Sequence, residues 1–136
     1  MRLLAALALT ALPFGAYAAG SDDTEPPKPT ATTIECVKGE VWDEKTKKCV
    51  KPEGAMLDND QRFTAVRELA YAGRTDDALR VLAAMTEGQT DRVLTYIGFL
   101  NRQAGNWEAS LAAYDRALIQ NPDNILAAIM VKPWSR

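Results

Sequence analysis

From Asp58 onward the apolar residues of the chain fall at helical spacing. Asp58 with Gln61 three residues later forms a capping-box pair, and Phe63, Val66, Leu69 and Ala70 follow on one face. Gly73 suits the left-handed position that closes a helix. Thr75 opens the next, with Asp76 and Asp77 near its positive end and Ala78, Val81, Leu82 and Met85 as its stripe. Glu87-Gly88-Gln89 ends it. Thr90 or Asp91 caps a third helix carrying Leu94, Ile97, Gly98 and Asn101 on one side, and Gly105 terminates it. Asn106 caps a fourth with Trp107, Leu111, Tyr114 and Leu118, and Pro122 marks its end. Short connections between such helices predict antiparallel neighbours.

The two helix pairs superpose in sequence. Gly73 corresponds to Gly105, Ala78 to Ser110, Leu82 to Tyr114 and Met85 to Ala117, all at one offset. A period of this size signals stacked helical hairpins. Gly98 and Ser110 let two helix backbones approach, Trp107 and Tyr114 fill the space beside them, and Gly105 turns the corner. Asn124 to Val131 begins a third first-helix, with Pro133 disfavouring continued helix.

Residues 91–124 resemble one tetratricopeptide repeat. Gly98, Gly105, Trp107, Ser110, Tyr114, Ala117 and Pro122 stand at the family's characteristic places. Leu94 replaces its usual Trp and Asn101 its usual Tyr. Residues 59–90 keep Gly73, Ala78 and Leu82, carry Thr75 where the family has an aromatic, and lack the terminal Pro. The resemblance implies an all-α fold over 57–132, with antiparallel hairpins stacked as a short solenoid of repeats 59–90, 91–124 and a partial 125–132. It also implies a concave groove lined by the first helices. The inward positions are then Asp60, Phe63, Arg67 and Tyr71, followed by Arg92, Thr95, Phe99, Arg102 and Gln103. Repeats that capture chaperone tails use Lys and Asn at several of these places. Phe63 and Phe99 occupy two of them here, so that activity is not implied. Phe63, Phe99 and Tyr71 are expected to grip an apolar side chain, and Arg67, Arg92 and Arg102 to pair with carboxylates of a protein or peptide partner. The incomplete third repeat is expected to promote self-association.

The stretch before the helices has a different character. MRLLAALALTALPFGAYA, residues 1–18, has the form of a signal peptide, with Arg2, an apolar run from Leu3 to Leu12 and an Ala16-Tyr17-Ala18 cleavage site. It is too short and too interrupted, by Pro13 and Gly15, for a membrane anchor, so no stable span is expected in the mature form. Export follows, to the periplasm in a Gram-negative cell and otherwise to the medium. Residues 19–33, AGSDDTEPPKPTATT, read as a disordered, solvated linker. Residues 34–51 place Cys36 and Cys49 on either side of a polar turn, which in an oxidising compartment predicts a disulfide-stapled hairpin. Two roles stay open for it: a redox-active or ligand-binding knob around Trp42, or a staple for a segment too small to fold alone. The pair lacks the C-x-x-C spacing of a reactive dithiol.

Composition narrows the chemistry. The 136 residues contain no His, which removes Ser-His-Asp and Cys-His nucleophilic sets and His-ligated metals. Two Cys cannot complete a structural zinc site, and no cofactor is expected. Net charge is -2, without the clustered Lys and Arg that nucleic acid requires. Carboxylate pairs at Asp22-Asp23, Asp58-Asp60 and Asp76-Asp77 sit in linker or cap positions, with no apolar pocket to tune them, so no catalytic residue is assigned. A module that binds protein or peptide is the expectation; a self-associating structural envelope protein is its alternative.

Overall fold

Glu68, a carboxylate only 4% exposed, organises the N-terminal end of the molecule. It accepts hydrogen bonds from the backbone N–H and hydroxyl of Thr30 (2.6 and 2.7 Å) and of Thr33 (3.2 and 2.6 Å). Thr30 thereby caps a single-turn helix, α1 (Ala31–Ile34). The computed structural model describes residues 25–132. The expected signal peptide and residues 19–24 of the expected linker lie outside them. Within them, the last residues of that linker are ordered, which corrects the expectation of disorder through Thr33. Four donors on one buried carboxylate supply what the segment's poor apolar content does not.

The cysteine segment forms the expected hairpin. Strand β1 (Val41–Asp43) pairs antiparallel with β2 (Lys48–Val50), with Trp42 opposite Cys49. Asp43 holds the turn by accepting from the Thr46 hydroxyl at 2.6 Å and from the Thr46 and Lys45 amides. These bonds, that of the Thr46 hydroxyl foremost, keep its carboxyl below the usual range. Cys36 and Cys49 are joined by a disulfide. The hairpin is not a free knob: Val41 of β1, 3% exposed, enters the core of the helical region, and Val50 of β2 packs against it. The buried Arg62 clamps the connector by donating to the carbonyls of Pro52 (2.7 Å) and Gly54 (2.9 Å).

The rest is helical: α2 (Asn59–Tyr71), α3 (Thr75–Ala83), α4 (Asp91–Gln103), α5 (Trp107–Gln120) and α6 (Ile125–Val131). The Asp58/Gln61 capping box is present at the start of α2. Gly73 and Gly105 both take positive φ, 74° and 80°, where the chain reverses after α2 and α4. Each helix packs on the next, and α4 also touches α2. The mostly helical class, with a two-stranded hairpin and its disulfide, is thus as the pattern predicts.

Helix α4 is buried on two sides. Val93, Tyr96 and Leu100 join Val66, Leu69, Ala70, Val81 and Leu82 in one cluster, while Leu94 joins Tyr114, Ala117 and Ala127 in a second. At ~1.5–3 kcal/mol for each fully buried large apolar side chain, this central helix contributes much of the core. One packing expectation is corrected: Trp107 does not fill space between helices. It is 48% exposed, and the Arg102 guanidinium stands 5.7 Å from its ring. Its place as first residue of α5, beside the Gly105 turn, leaves it at the end of the helix pair.

Candidate functional site

The residues expected to line a groove come from α2 and α4, which lie side by side. Asp60 and Arg92, 32 residues apart, join the two N-terminal ends at 2.8 Å. Gln103 joins the other ends: its amide donates to the Ala70 carbonyl (2.8 Å) and its oxygen accepts from the Thr75 hydroxyl (2.9 Å). Between these ties runs a row of four rings. Phe63 meets Tyr96 edge-on at 5.2 Å, Tyr96 meets Phe99 at 5.8 Å, and Phe99 meets Tyr71 at 5.3 Å in a tilted stack. Tyr71 and Phe99 are half-buried and present part of their rings to solvent, whereas Tyr96 is 1% exposed.

Several expected binding residues are used inside the chain. Phe63 is 7% exposed, packed against Tyr96 and under the Arg92 guanidinium 4.8 Å from its ring, so it offers a partner little surface along the groove. Thr95 is 2% exposed; its hydroxyl donates to the Asp91 carbonyl and accepts from Asn124. Arg92 spends its fork on both oxygens of Glu87, at 2.7 and 2.5 Å, besides Asp60. This pairing lowers the Glu87 pKa and raises that of Arg92. Arg67 donates to the Tyr96 hydroxyl (3.2 Å) and to the Glu25 carbonyl (2.8 Å). Arg102 reaches Met130 of α6 and the Trp107 ring. The arginines expected to pair with a partner's carboxylates, Arg67, Arg92 and Arg102, thus each engage neighbours within the fold. Tyr71 and Phe99 keep the exposure the expectation needs.

No family model, curated protein or solved structure matches this chain.

At the N-terminal end of α4 the ring row runs into an open cleft of about 150 Å³. Phe63, Tyr96, Ile125 and Leu126 give it apolar walls, and Thr95, Asp91, Asn121, Asp123 and Asn124 line the polar side. Its polar side is held rigidly. Asp91 Oδ2 accepts from Asn121 (2.8 Å) and Asn124 (3.1 Å), and Asn124 also caps α6 through the Ala127 amide. The sequence reading missed this end of the site and the ring that connects it. The signal for Tyr96 was present: Val93, Tyr96 and Leu100 form a second helical stripe beside that of Leu94 and Ile97. A two-sided helix carries two such stripes, and only one was assigned. Asp91 reads as a candidate helix cap and Asn124 as the start of the next helix, and nothing local in the sequence shows that they converge with Asn121.

Proposed function

We propose that the chain is an exported protein-interaction module of the tetratricopeptide type. It binds an extended peptide across α2, α4 and the start of α6. The single observation that carries the reading is the continuous row Phe63–Tyr96–Phe99–Tyr71, buried at one end beside an open cleft and partly exposed at the other. A rigid aromatic row with an adjoining pocket suits an extended backbone that inserts one anchor. The repeat reading is supported by recurring separations. Arg92 of α4 stands over Phe63 of α2, and Asn124, which opens α6, donates to Thr95 of α4; both members of the second pair lie 32 residues on from those of the first. This contact between α2 and α4 thus recurs, at the repeat offset, between α4 and the segment opening α6.

The test is affinity capture from the native envelope fraction with wild type, Phe99→Ala and Arg92→Ala. A partner retained by Arg92→Ala and lost with Phe99→Ala, at unchanged helical content, supports the reading. Equal capture by all three places the site elsewhere. A second reading, self-association without a separate ligand, is favoured by Ile119, Ile125 and Ile129 of α5 and α6, which are 80%, 58% and 54% exposed. A mass that rises with concentration, and no captured partner, would decide for it.

A further inference from the structure

The charge around the cleft is the reverse of what the three arginines suggested. Among the described residues Arg92 is the one cation that lines it, and Glu87 and Asp60 already neutralise that guanidinium. Asp91 and Asp123 line the cleft as well. Asp91 has its Oδ2 occupied by neutral amides, which orient the carboxylate and leave its charge in place. Around one guanidinium there are therefore four carboxylates: Asp60, Glu87, Asp91 and Asp123. Arg67 donates to the Tyr96 hydroxyl and does not line the cleft. The cavity itself has the size that accepts one compact apolar group, since an apolar space of roughly 150 Å³ holds a benzene-sized molecule.

We propose that this cleft takes a Leu- or Met-sized side chain from a basic peptide segment, with Lys or Arg next to the anchor in the partner's sequence. The inference rests on the peptide-binding reading above and fixes the chemistry of its ligand. The apolar side chain enters between Phe63, Tyr96, Ile125 and Leu126. The flanking cations meet Asp91 and Asp123. A carboxylate-flanked anchor, the ligand expected from the arginines, would instead meet an acidic rim with the Arg92 guanidinium spent. Like charges at such a rim exclude as effectively as opposite charges attract.

The experiment uses the full mature chain and three labelled peptides with a central Leu, flanked by Lys, Gln or Glu, read by fluorescence anisotropy at moderate salt. The Lys-flanked peptide should bind about tenfold more tightly than the Gln-flanked one, as two or three exposed charge pairs supply, and the Glu-flanked peptide most weakly. Replacing its Leu by Gly should abolish the advantage. The Asp91→Asn/Asp123→Asn double variant keeps hydrogen-bonding oxygens at both positions and should cut the Lys preference to about twofold. Asp76→Asn, an exposed carboxylate of α3 outside the cleft, should leave it unchanged. Preference for the Gln- or Glu-flanked peptide, lost in Phe99→Ala, would overturn the charge inference and leave the peptide-binding reading standing. Binding of none of the three would overturn both. A Lys preference weakened equally by Asp76→Asn would show only general attraction to an acidic protein and would overturn the site.

Discussion

Replacing Gly98 by Ala should destabilise the protein, although the same change in most helices does the opposite. Gly98 lies inside α4, where Ala is worth about 1 kcal/mol over Gly. A Cβ at this position would stand 2.6, 2.7 and 2.9 Å from Cε1, Cδ1 and Cζ of Tyr114. The ring is 1% exposed and shares its cluster with Leu94, Ala117 and Ala127, so it has no free space to retreat into. Forcing a carbon into a packed site costs ~1–3 kcal/mol. With a rigid ring as the obstacle, the upper half of that range applies, for a net loss of about 1–2 kcal/mol. Urea unfolding followed by circular dichroism measures it as a lower midpoint at unchanged slope. Tyr114→Val removes the ring atoms, and in that background Gly98→Ala should become stabilising by ~0.5–1 kcal/mol. The double-mutant cycle should then return a coupling of about 1.5–3 kcal/mol. A Gly98→Ala variant as stable as wild type, or more stable, would refute the close approach of α4 and α5 on which the core description rests.

The Tyr114 hydroxyl is buried without a hydrogen-bond partner, and burial pushes its pKa up to about 12, partly offset by the nearby Ser110 hydroxyl. Tyr114→Phe should therefore leave neutral-pH stability within about 1 kcal/mol, on the stabilising side. Above the free-tyrosine value of about 10 the unfolded phenol ionises while the folded one stays protonated, so wild type loses stability as pH rises toward 12. By about pH 11 the gap in favour of Phe should widen by about 1.4 kcal/mol in paired denaturant titrations, and a constant gap would contradict the burial argument. Glu68→Gln turns amide hydrogens toward a cluster of donors and should cost ~1–3 kcal/mol. Hydrogen exchange should show the Thr30 and Thr33 amides losing protection before the core does; unchanged protection there would mean that Glu68 does not hold the segment.

The helices were legible because their signals are local. Asp58 and Gln61 specify a cap, Gly73 and Gly105 specify reversals, and Val66, Leu69, Val81 and Leu82 specify faces, each within a few residues. The disulfide was legible because spacing, together with the expectation of an oxidising compartment, restricts two cysteines to few roles. What escaped the sequence depends on distant partners. Thr30 and Glu68 are 38 residues apart, and neither carries a mark of the other. Thr-rich, Pro-rich composition argued for disorder, and one buried carboxylate overrode it. The arginines failed in the same way: their type and face were readable, whereas their occupancy depended on Glu87 and Asp60 being within reach.

That failure has a physical lesson for the site. A repeat with a single ligand-facing stripe leaves its cations free to meet an acidic partner. Here α4 serves two masters, packing Tyr96 and Leu100 toward α2 and α3 while Leu94 packs toward α5 and α6. A helix so enclosed has few exposed positions, and its polar residues at the ends are recruited to tie neighbours together: Arg92 and Asp91 at one end, Arg102 and Gln103 at the other. Exposed ion pairs of this sort add ~0–1 kcal/mol each, so their effect on stability is small. On the peptide-binding reading proposed above, their effect on recognition is larger, because neutralising Arg92 leaves the unpaired charge of the cleft with Asp91 and Asp123. Specificity at this face would then be set by which charges the fold consumes, and of the two carboxylates that decide it only Asp91 carried a mark in the sequence, as a candidate helix cap.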